Sequence, residues 1–265
     1  MRIVRFRAGA LTAFGLDEGD FLVPLAGAPW ETGGEPRPSG ARVPRPEAEL
    51  LAPVAPGKIL CIGRNYRAHA AELGNEVPTE PLVFFKPVSS LLRSGGTVLL
   101  PPESGRVDFE GELALVVGTR GRRIPRERAL SHVFGIVPAL DVSARDLQKK
   151  DGQWWRAKGF DTFCPVGPVV GALSGLGDEA DLADIAVETR VNGALRQSGR
   201  TSQLIFDLAT VVSWCSQAMT LEPGDLILTG TPEGVGPLSD GDEVDVRVGS
   251  LPPLVVTVAL ELPAP

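Results

Sequence analysis

The stretch VDFEGELALVVG, residues 107 to 118, holds three acids among its valines and leucines. Side chains alternate across a strand, so Asp108, Glu110 and Glu112 share one face if this stretch is a strand. Glu110 and Glu112 then begin only about 6.6 Å apart. Two carboxylates held so close in a partly buried place require a raised pKa on one of them or a bound cation. The alternative is an edge strand with a solvated acidic face.

A third carboxylate, Asp141, ends the apolar run FGIVPALD, where a predicted strand gives way to a helix. Aspartate is a frequent helix N-cap, so Asp141 either caps the helix in SARDLQKK or joins the acidic group. The chain has only two histidines, His69 and His132, which excludes a zinc or iron site built on several histidines. Three carboxylates, with water and substrate completing the shell, describe a hard divalent cation such as Mg²⁺ or Mn²⁺.

The segment GRNYRAHAAELGNE places His69 and Glu72 three residues apart on a predicted helical turn, and therefore on one face. A glutamate so placed can hold the imidazole and raise its basicity, and such a pair can take a proton from water or substrate near neutral pH. The alternative is a polar surface helix whose side chains are simply solvated.

Two further segments carry groups that suit an anionic substrate. In WWRAKGFDTFCP, Lys158 stands beside two tryptophans, where it is either a surface lysine or a cation that stabilises a developing enolate or carboxylate charge. In ILTGTPEGVG a strand runs into a Gly-rich loop that lacks the Lys-Ser/Thr of a P-loop, which argues against nucleotide binding. The glycines alone predict a tight turn, although the loop hydroxyl and amides can bind a carboxylate.

These groups must be positioned by a chain that reads as mostly β with few short helices, an α+β protein with a rolled or barrel-like sheet. Residues 1 to 56 predict a small N-terminal β domain: a meander over the first 26 residues, then a Pro- and Gly-rich linker or wrapping arm. Residues 57 to 265 predict the main domain, which begins near KILCIG.

Within the main domain, strands are predicted in KILCIG, LVFFKP, GTVLLP, the acidic stretch, FGIVPALDV, DLILTGTP, DEVDVRV and PLVVTVAL. Asn192-Gly193 predicts a type I′ hairpin in IAVETRVNGALRQSG. Short helices are predicted in PRERALSHV and SARDLQKK, and a longer one in SQLIFDLATVVSWCSQAM.

Composition narrows the class of partner. The net charge of −7 over 265 residues forms no basic stripe, which argues against nucleic acid or an anionic membrane and favours a small molecule. The N-terminus lacks the apolar run of a signal peptide, and no stretch approaches 18 apolar residues, so we expect a cytoplasmic protein. The three cysteines are far apart in apolar sequence and read as buried thiols.

Taken together, seven segments resemble the fumarylacetoacetate hydrolase family over Lys58 to Thr257. They occur in the order GRNYRAHAAE, FFKP, VDFEGELALVVG, ALDVSARDLQ, RAKGFDTFCPVGP, VNGALRQSG and LTGTPEGVG. The resemblance implies a rolled β sheet that holds Mg²⁺ or Mn²⁺ on Glu110, Glu112 and Asp141, and leaves Asp108 as a structural residue.

The same resemblance implies roles for the other groups. Lys158 and a His69-Glu72 dyad on a mobile lid are the implied catalytic residues. The implied substrate contacts are Arg145, Gln148, Thr231 and Lys86. The N-terminal segment resembles that of bacterial members named 2-hydroxyhepta-2,4-diene-1,7-dioate isomerase, and family members are usually dimers, which implies a homodimer.

We therefore expect a metal-dependent enzyme in which the cation chelates a small 2-oxo or 2-enol carboxylate and lowers the cost of forming an enolate. Proton relocation, loss of CO₂ and attack by water all follow from that intermediate, and fold alone does not choose among them. An isomerase/decarboxylase of 2-hydroxyhepta-2,4-diene-1,7-dioate type in aromatic compound catabolism comes first. An acylpyruvate (fumarylpyruvate-type) hydrolase or oxaloacetate decarboxylase is the alternative, and a non-catalytic metal-binding module is a remote third.

Overall fold

The structure is a computed structural model that describes residues 1–72, 74, 76–177 and 182–262. The described chain is mostly β, as the sequence predicts, and its strands form three sheets that do not close into a complete barrel. The strands are β1 Arg2–Ala8, β2 Leu11–Asp17, β3 Phe21–Pro24, β4 Val43–Pro44, β5 Glu49–Leu51, β6 Ile59–Gly63, β7 Leu82–Lys86, β8 Leu91–Arg93, β9 Thr97–Leu100, β10 Val107–Phe109, β11 Gly111–Val117, β12 Val133–Leu140, β13 Ser143–Ala144, β14 Cys164–Val166, β15 Val170–Ala172, β16 Ala186–Val191, β17 Ala194–Arg200, β18 Leu226–Leu228, β19 Gly236–Pro237, β20 Glu243–Val248 and β21 Leu254–Leu260.

Helices in the described ranges are short. The α-helices are α1 Arg67–Glu72, α2 Arg145–Lys150, α3 Trp155–Gly159 and α4 Leu208–Ala218. Short 3₁₀ segments occur at Pro29–Glu31, Arg45–Glu47, Val88–Ser90, Arg126–His132, Leu173–Gly175 and Thr201–Gln203. None of these helices is long and apolar enough to cross a membrane.

The largest sheet runs β4-β3-β2-β1-β15-β12-β11-β18-β6-β7, with β5, β8 and β14 attached at its side. The N-terminal meander β1–β3 is therefore continuous with this sheet through the pairing of β1 with β15. The Pro-rich arm that follows packs closely on the same sheet, because β5 pairs with β1 and buried Trp30 lies edge-on against Phe14 and Phe134.

Strand β11 lies in the middle of the large sheet, between β12 and β18. Its side chains alternate as predicted. Leu113 and Leu115 enter the apolar cluster that includes the buried face of α4, while Ala114 and Val116 enter the cluster on the opposite face. Both faces are buried, and each fully buried valine or leucine side chain contributes about 1.5 to 3 kcal/mol of transfer free energy. The solvated edge strand that the sequence left open is therefore wrong.

The acidic stretch is not one strand. Strand β10 pairs with β13 and β19 in a separate three-stranded sheet, and β11 belongs to the large sheet, so the chain changes sheets at Glu110. Alternation alone could not predict this break, because the side-chain pattern continues through it.

The structure confirms the predicted hairpin turn and shows that the predicted long helix begins later than expected. Asn192 (φ +52°) and Gly193 (φ +77°) form the predicted two-residue turn between β16 and β17, which lie in the sheet β17-β16-β20-β21-β9. The predicted helix over 202–219 begins late, at Leu208, because Asp207 caps it by accepting the N–H of Thr210 at 2.8 Å.

All three cysteines, Cys61, Cys164 and Cys215, are buried free thiols, as predicted. Burial raises the pKa of Cys164 and of Cys215 to about 12, which keeps both protonated at neutral pH.

Candidate active site around an acidic triad

A cavity of about 280 Å³ opens where the ends of β11 and β12 meet α2 and α3. Eight of the ten residues that the sequence assigned to the site form part of its wall: His69, Glu110, Glu112, Asp141, Arg145, Gln148, Lys158 and Thr231. Segments separated by up to 162 residues of sequence are thus brought to one small space. Glu72 and Lys86 are not part of this wall, but Glu72 contacts His69 and Lys86 contacts Asp141.

Glu110, Glu112 and Asp141, here called the acidic triad, each offer one oxygen within 4.8 Å of the other two. They are 4%, 2% and 1% exposed. The pairing of β11 with β12 fixes this arrangement, because the N–H of Asp141 donates to the carbonyl of Glu110 at 2.8 Å. Asp141 does not cap α2, whose N-cap position is Ala144, so that alternative is wrong.

Two buried lysines contact the triad. Nζ of Lys158, on α3, lies 2.7 Å from Oε2 of Glu110 and 2.6 Å from Oδ2 of Asp141. Nζ of Lys86, at the end of β7, donates to Oδ1 of Asp141 at 2.6 Å and to the carbonyl of Val142 at 3.2 Å. Lys158 is therefore not the surface lysine that the sequence allowed, and both oxygens of Asp141 have a cationic partner.

A buried arginine completes the set of cations. Arg145, in the first turn of α2, donates to Oε1 of Glu110 and, at 2.9 Å, to Oδ2 of Asp108. Asp108 also accepts from the half-exposed Arg106, so it is a structural partner of two arginines. Nη1 of Arg145 donates to Oε1 of Gln148 at 3.0 Å, one helical turn further along α2.

The triad carboxyls differ in their electrostatic surroundings. Burial alone would raise the pKa of Glu110, but Arg145 and Lys158 outweigh it and hold that pKa well below its usual range. Burial and the charges of Asp141 and Glu110 raise the pKa of Glu112 well above its usual value, and the N–H of Gly230, 2.7 Å from Oε2, offsets this only in part. Glu112 is thus the carboxylate whose charge lacks a cation.

The triad suits a hard divalent cation. Three carboxylate oxygens from two adjacent strands form the oxygen-only donor set that Mg²⁺ and Mn²⁺ prefer, and no soft ligand lies among them. A cation at this point also balances the Glu112 charge, which the three buried cations leave unpaired.

Helix α1 carries the predicted dyad. His69 is 4% exposed, and its Nδ1 lies 3.4 Å from Oε2 of Glu72. Glu72 in turn accepts the N–H of Gly234 at 3.1 and 3.2 Å, which ties the helix to the Gly-rich loop after β18. Buried Asn65 anchors the start of the same segment by donating to the carbonyl of Thr229 at 2.8 Å and accepting from Phe206 at 2.8 Å.

Two protein-family models match the chain. The model of the fumarylacetoacetate (FAA) hydrolase C-terminal domain matches residues 58–259. The chain belongs to the fumarylacetoacetate hydrolase family. A second model, described as Rv2993c-like, N-terminal, matches residues 1–53.

Three relatives carry different activities in their names. The chain is 41% identical to mitochondrial oxaloacetate tautomerase FAHD2A of Homo sapiens, over 95% of this chain and 89% of that protein. The structure of 2-hydroxyhepta-2,4-diene-1,7-dioate isomerase from Mycobacterium marinum matches with a TM-score of 0.87 at 39% identity, covering 98% of this chain and 99% of that one. Fumarylpyruvate hydrolase from Pseudomonas aeruginosa, in complex with Mn²⁺ and pyruvate, matches with a TM-score of 0.72 at 36% identity, over 80% of this chain and 92% of that one.

This member of the family also has cavity residues that sequence reasoning missed. Arg64, Trp154 and Lys149 line the wall together with Phe84. Arg64 holds a left-handed backbone (φ +57°), and its guanidinium carbon stands 6.0 Å from the centre of the Trp154 ring. A non-glycine residue in that conformation costs free energy and is common at functional sites. The motif GRNY and the tryptophan pair were visible in the sequence, but nothing there indicated that they meet.

Proposed function

We propose that this protein is a divalent-metal-dependent enzyme that relocates a proton beside the carbonyl of a small 2-oxo or 2-enol carboxylate. The specific activity proposed is that of a 2-hydroxyhepta-2,4-diene-1,7-dioate isomerase/decarboxylase in aromatic compound catabolism. The observation that carries the proposal is the meeting of the acidic triad with Lys158 in the wall of one cavity. Relatives named as a tautomerase and as an isomerase support the same class of chemistry.

Charge balance supports an anionic substrate. Four buried carboxylates, Asp108 and the acidic triad, face three buried cations, Lys86, Arg145 and Lys158, which leaves one negative charge unbalanced. A divalent cation would turn this into a net charge of +1 at a buried site, and burying unbalanced charge is costly. A 2-oxo carboxylate supplies the matching negative charge, and Lys158 would stabilise the further charge of an enolate.

When bound, Mg²⁺ or Mn²⁺ supplies a Lewis acid that draws electron density from a 2-oxo group. The chain's own residues orient the substrate and stabilise the charge. The Lys158 ammonium, enclosed between two carboxylates and 4.9 Å from the centre of the Phe84 ring, stabilises the oxygen on which negative charge develops. Arg145, Gln148 and the Thr231 loop are the proposed contacts of the substrate carboxylate.

The cavity wall carries two further cations that suit a second carboxylate. Arg64 and Lys149 line the cavity, and neither has an acidic partner among the described residues. Cations left unpaired beside a cavity attract an anionic ligand. This favours a dicarboxylate, such as a diene-dioate or oxaloacetate, over an acid with an apolar tail.

Carbon-carbon bond hydrolysis of an acylpyruvate is a second candidate, and the dyad favours it. His69 lines the cavity, and Glu72 is held by Gly234 so that it faces the imidazole. A histidine oriented by a carboxylate can take a proton from water, which hydrolysis requires and proton relocation does not. A non-catalytic metal-binding module has no use for this dyad or for Lys158.

The test is a turnover screen of metal-free protein reloaded with Mg²⁺ or Mn²⁺. The substrates are a hydroxymuconate-type dienoate, an acylpyruvate and oxaloacetate. Enol-keto conversion is followed by ultraviolet absorption, cleavage products are identified by NMR, and the CO₂ released is measured. We expect isomerisation of the dicarboxylates in the metal-loaded protein and background rates in the metal-free protein. Cleavage of the acylpyruvate alone would select the hydrolase, and no metal-dependent turnover of any substrate would contradict the proposal.

We further propose that the enzyme acts as a cytoplasmic homodimer whose catalytic unit is residues 57 to 265, with residues 1 to 56 forming a small N-terminal domain. Light scattering on the purified full-length protein measures the oligomeric state. A monomeric mass at micromolar concentration would contradict the dimer.

A further inference from the structure

Gly111 is the residue between two of the proposed metal ligands, and its backbone is bonded in an unusual way. Strand β18 begins to pair with β11 only at Ala114 and Leu228, so no strand partner is present beside Gly111 on that side. Two side chains take its place. The N–H of Gly111 donates to Oε1 of Gln197 at 2.9 Å, and its carbonyl accepts from Oγ1 of Thr231 at 2.8 Å.

The side-chain amide of Gln197 makes three hydrogen bonds. Its Nε2 donates to Oγ1 of Thr231 and to the carbonyl of Pro232, both at 2.7 Å, while its Oε1 accepts from Gly111. A carbonyl can only accept and a backbone N–H can only donate, so the orientation of the amide is fixed. The side chain is 1% exposed and joins the metal-ligand strand to the Gly-rich loop.

The same bonds fix the polarity of the Thr231 hydroxyl. Its hydrogen is given to the Gly111 carbonyl, and one lone pair accepts from Gln197. Thr231 also lines the cavity. A hydroxyl has one donor and two acceptor positions, so only an acceptor position remains for a ligand. Thr231 therefore accepts a hydrogen bond from a substrate hydroxyl or a water molecule.

The hairpin that carries Gln197 packs directly on Gly111. Thr189 of β16 is the cross-strand partner of Gln197, and a Cβ atom added to Gly111 would lie 1.9 Å from Oγ1 of Thr189. Only glycine allows this approach. Oγ1 of Thr189 is buried and has no hydrogen-bond partner among the described residues, so Thr189 contributes packing to this contact and Gln197 contributes the hydrogen bonds.

We propose that Gln197 is a positioning residue of the active site. Through Gly111 it sets the spacing of the Glu110 and Glu112 carboxylates, and through Thr231 it orients a hydroxyl that lines the cavity. The inference rests on the proposed function in taking the acidic triad as the metal site. It gives a role to the motif VNGALRQSG, which contributes no group to the cavity wall.

Gln197→Met, which keeps the length of the side chain and removes its hydrogen bonds, tests the role in the full-length protein. Thr189→Val is the matched control, because it alters the neighbouring residue on the same contact without removing a hydrogen bond. Mn²⁺ affinity is measured by calorimetry, and exchange of the Gly111 amide hydrogen is measured by NMR. We expect Gln197→Met to weaken Mn²⁺ binding by about 10- to 100-fold, the usual effect of removing a group that orients a ligand. Its Gly111 amide should also exchange faster.

Thr189→Val should bind Mn²⁺ within about twofold of wild type and leave the exchange of Gly111 unchanged, because the bonds that position the ligands are intact. If Gln197→Met fails to fold, Gln197→Glu keeps an acceptor for Gly111 but lacks the amide donors to Thr231 and Pro232, and weaker Mn²⁺ binding is again expected. Wild-type Mn²⁺ affinity in the Gln197 variants would overturn the positioning role alone. A wild-type protein that binds neither Mn²⁺ nor Mg²⁺ would instead contradict the proposed function.

Discussion

Nζ of Lys158 lies 2.6 Å from Oδ2 of Asp141, and both side chains are almost fully buried. The proposed charge-stabilising cation therefore bonds directly to one of the proposed metal ligands. Burial alone would lower the pKa of Lys158, but Asp141 and Glu110 outweigh it and raise that pKa above its ordinary value. We therefore expect metal binding and charge stabilisation to influence each other in this site. Substitution of Lys158 can show how much each role contributes, because metal affinity and turnover are measured separately.

Lys158→Met should separate the two roles. It removes a cation that competes with the metal for Asp141 and Glu110, so we expect Mn²⁺ affinity to be retained or increased. Turnover should fall by at least about 10²-fold, since a buried charge-stabilising group is lost. Calorimetry and steady-state kinetics measure the two effects, with exposed Lys150→Met on α2 as the control. Loss of Mn²⁺ binding together with activity would contradict the separation.

Glu112→Gln should strongly weaken metal binding without destabilising the metal-free protein. Glu112 is bonded only to the Gly230 N–H among the described residues, so its removal leaves no buried cation unpaired. We expect Mn²⁺ affinity to fall by about 10²-fold or more, because one of three charged ligands is lost. Thermal unfolding of the metal-free variant should occur at or above the wild-type temperature.

The control for Glu112→Gln is Asp225→Asn, at a buried acid that lies away from the triad. Asp225 accepts from the Lys58 ammonium and from the backbone N–H of Glu222. This change should lower the free energy of unfolding by about 1 to 3 kcal/mol, because a buried charged hydrogen bond is weakened. Its Mn²⁺ affinity should match wild type. Equal Mn²⁺ affinity in Glu112→Gln and wild type would remove Glu112 from the metal site.

His69→Ala distinguishes cleavage from proton relocation. If the dyad activates water, acylpyruvate cleavage should fall by about 10²- to 10⁴-fold, while isomerisation and binding of the enol mimic oxalate remain near wild type. Glu72→Ala should show a similar loss of cleavage because the imidazole is no longer oriented. Arg67→Ala, an exposed residue on the same helix, serves as the control. Unchanged cleavage in both dyad variants would restrict the protein to isomerisation.

Gly111→Ala should be strongly destabilising, since its Cβ would lie 1.9 Å from Oγ1 of Thr189. Overpacking of this kind typically lowers the free energy of unfolding by about 1 to 3 kcal/mol. The double variant Gly111→Ala/Thr189→Ala should recover part of that loss, with a coupling free energy of about 0.5 to 3 kcal/mol. Urea unfolding of the four proteins in the cycle gives the coupling, and strictly additive effects would show that the two residues are not in contact.

The N-cap of α4 gives a pH-dependent prediction. Partial burial alone would raise the pKa of Asp207, but its hydrogen bonds with Thr210 and the Arg126 guanidinium hold it below its usual value. A carboxyl with a lowered pKa in the folded state stabilises the fold above its unfolded pKa and loses that contribution as pH falls through the folded pKa. Asp207→Ala should therefore cost about 1 kcal/mol at neutral pH and less under acid conditions.

Asp207→Asn, which keeps the capping oxygen, is the comparison for Asp207→Ala. It should retain most of the stability at neutral pH and show a weaker dependence on pH. Urea unfolding between neutral pH and pH 3 measures all three proteins. A cost in Asp207→Ala that stays constant across this range would contradict the contribution of the ionised carboxyl.

Much of the site could be predicted from sequence because its groups follow local rules. The alternation that places Glu110 and Glu112 on one face and the i, i+3 spacing of His69 and Glu72 both depend only on neighbouring residues. Gly111 also offered a signal for the break in the acidic strand, since glycine within a strand often marks a close backbone approach.

The rest depends on long-range packing that one sequence does not encode in any local pattern. Lys86 illustrates this. The sequence assigned it to the substrate, and that role stays a prediction, but in the structure its ammonium is bonded to Asp141 and Val142 and is not part of the cavity wall. Gln197 and Arg64 reach the site from strands and turns whose positions only the assembled sheets determine. Alternation likewise could not show that Asp108 would pair with Arg145.

Solvent-hydrogen exchange tests the central claim, metal-dependent proton relocation at the acidic triad, most directly. Pyruvate and oxaloacetate are incubated in D₂O with metal-free protein, with Mn²⁺- or Mg²⁺-loaded protein and with Glu112→Gln in the presence of the same metal. Deuterium at the carbon beside the 2-oxo group is followed by NMR or mass spectrometry. We predict enzyme-dependent deuterium incorporation with the loaded wild-type protein, and background rates with the metal-free protein and with Glu112→Gln. Incorporation at equal rates with and without metal, or none above background with the loaded wild-type protein, would contradict the account.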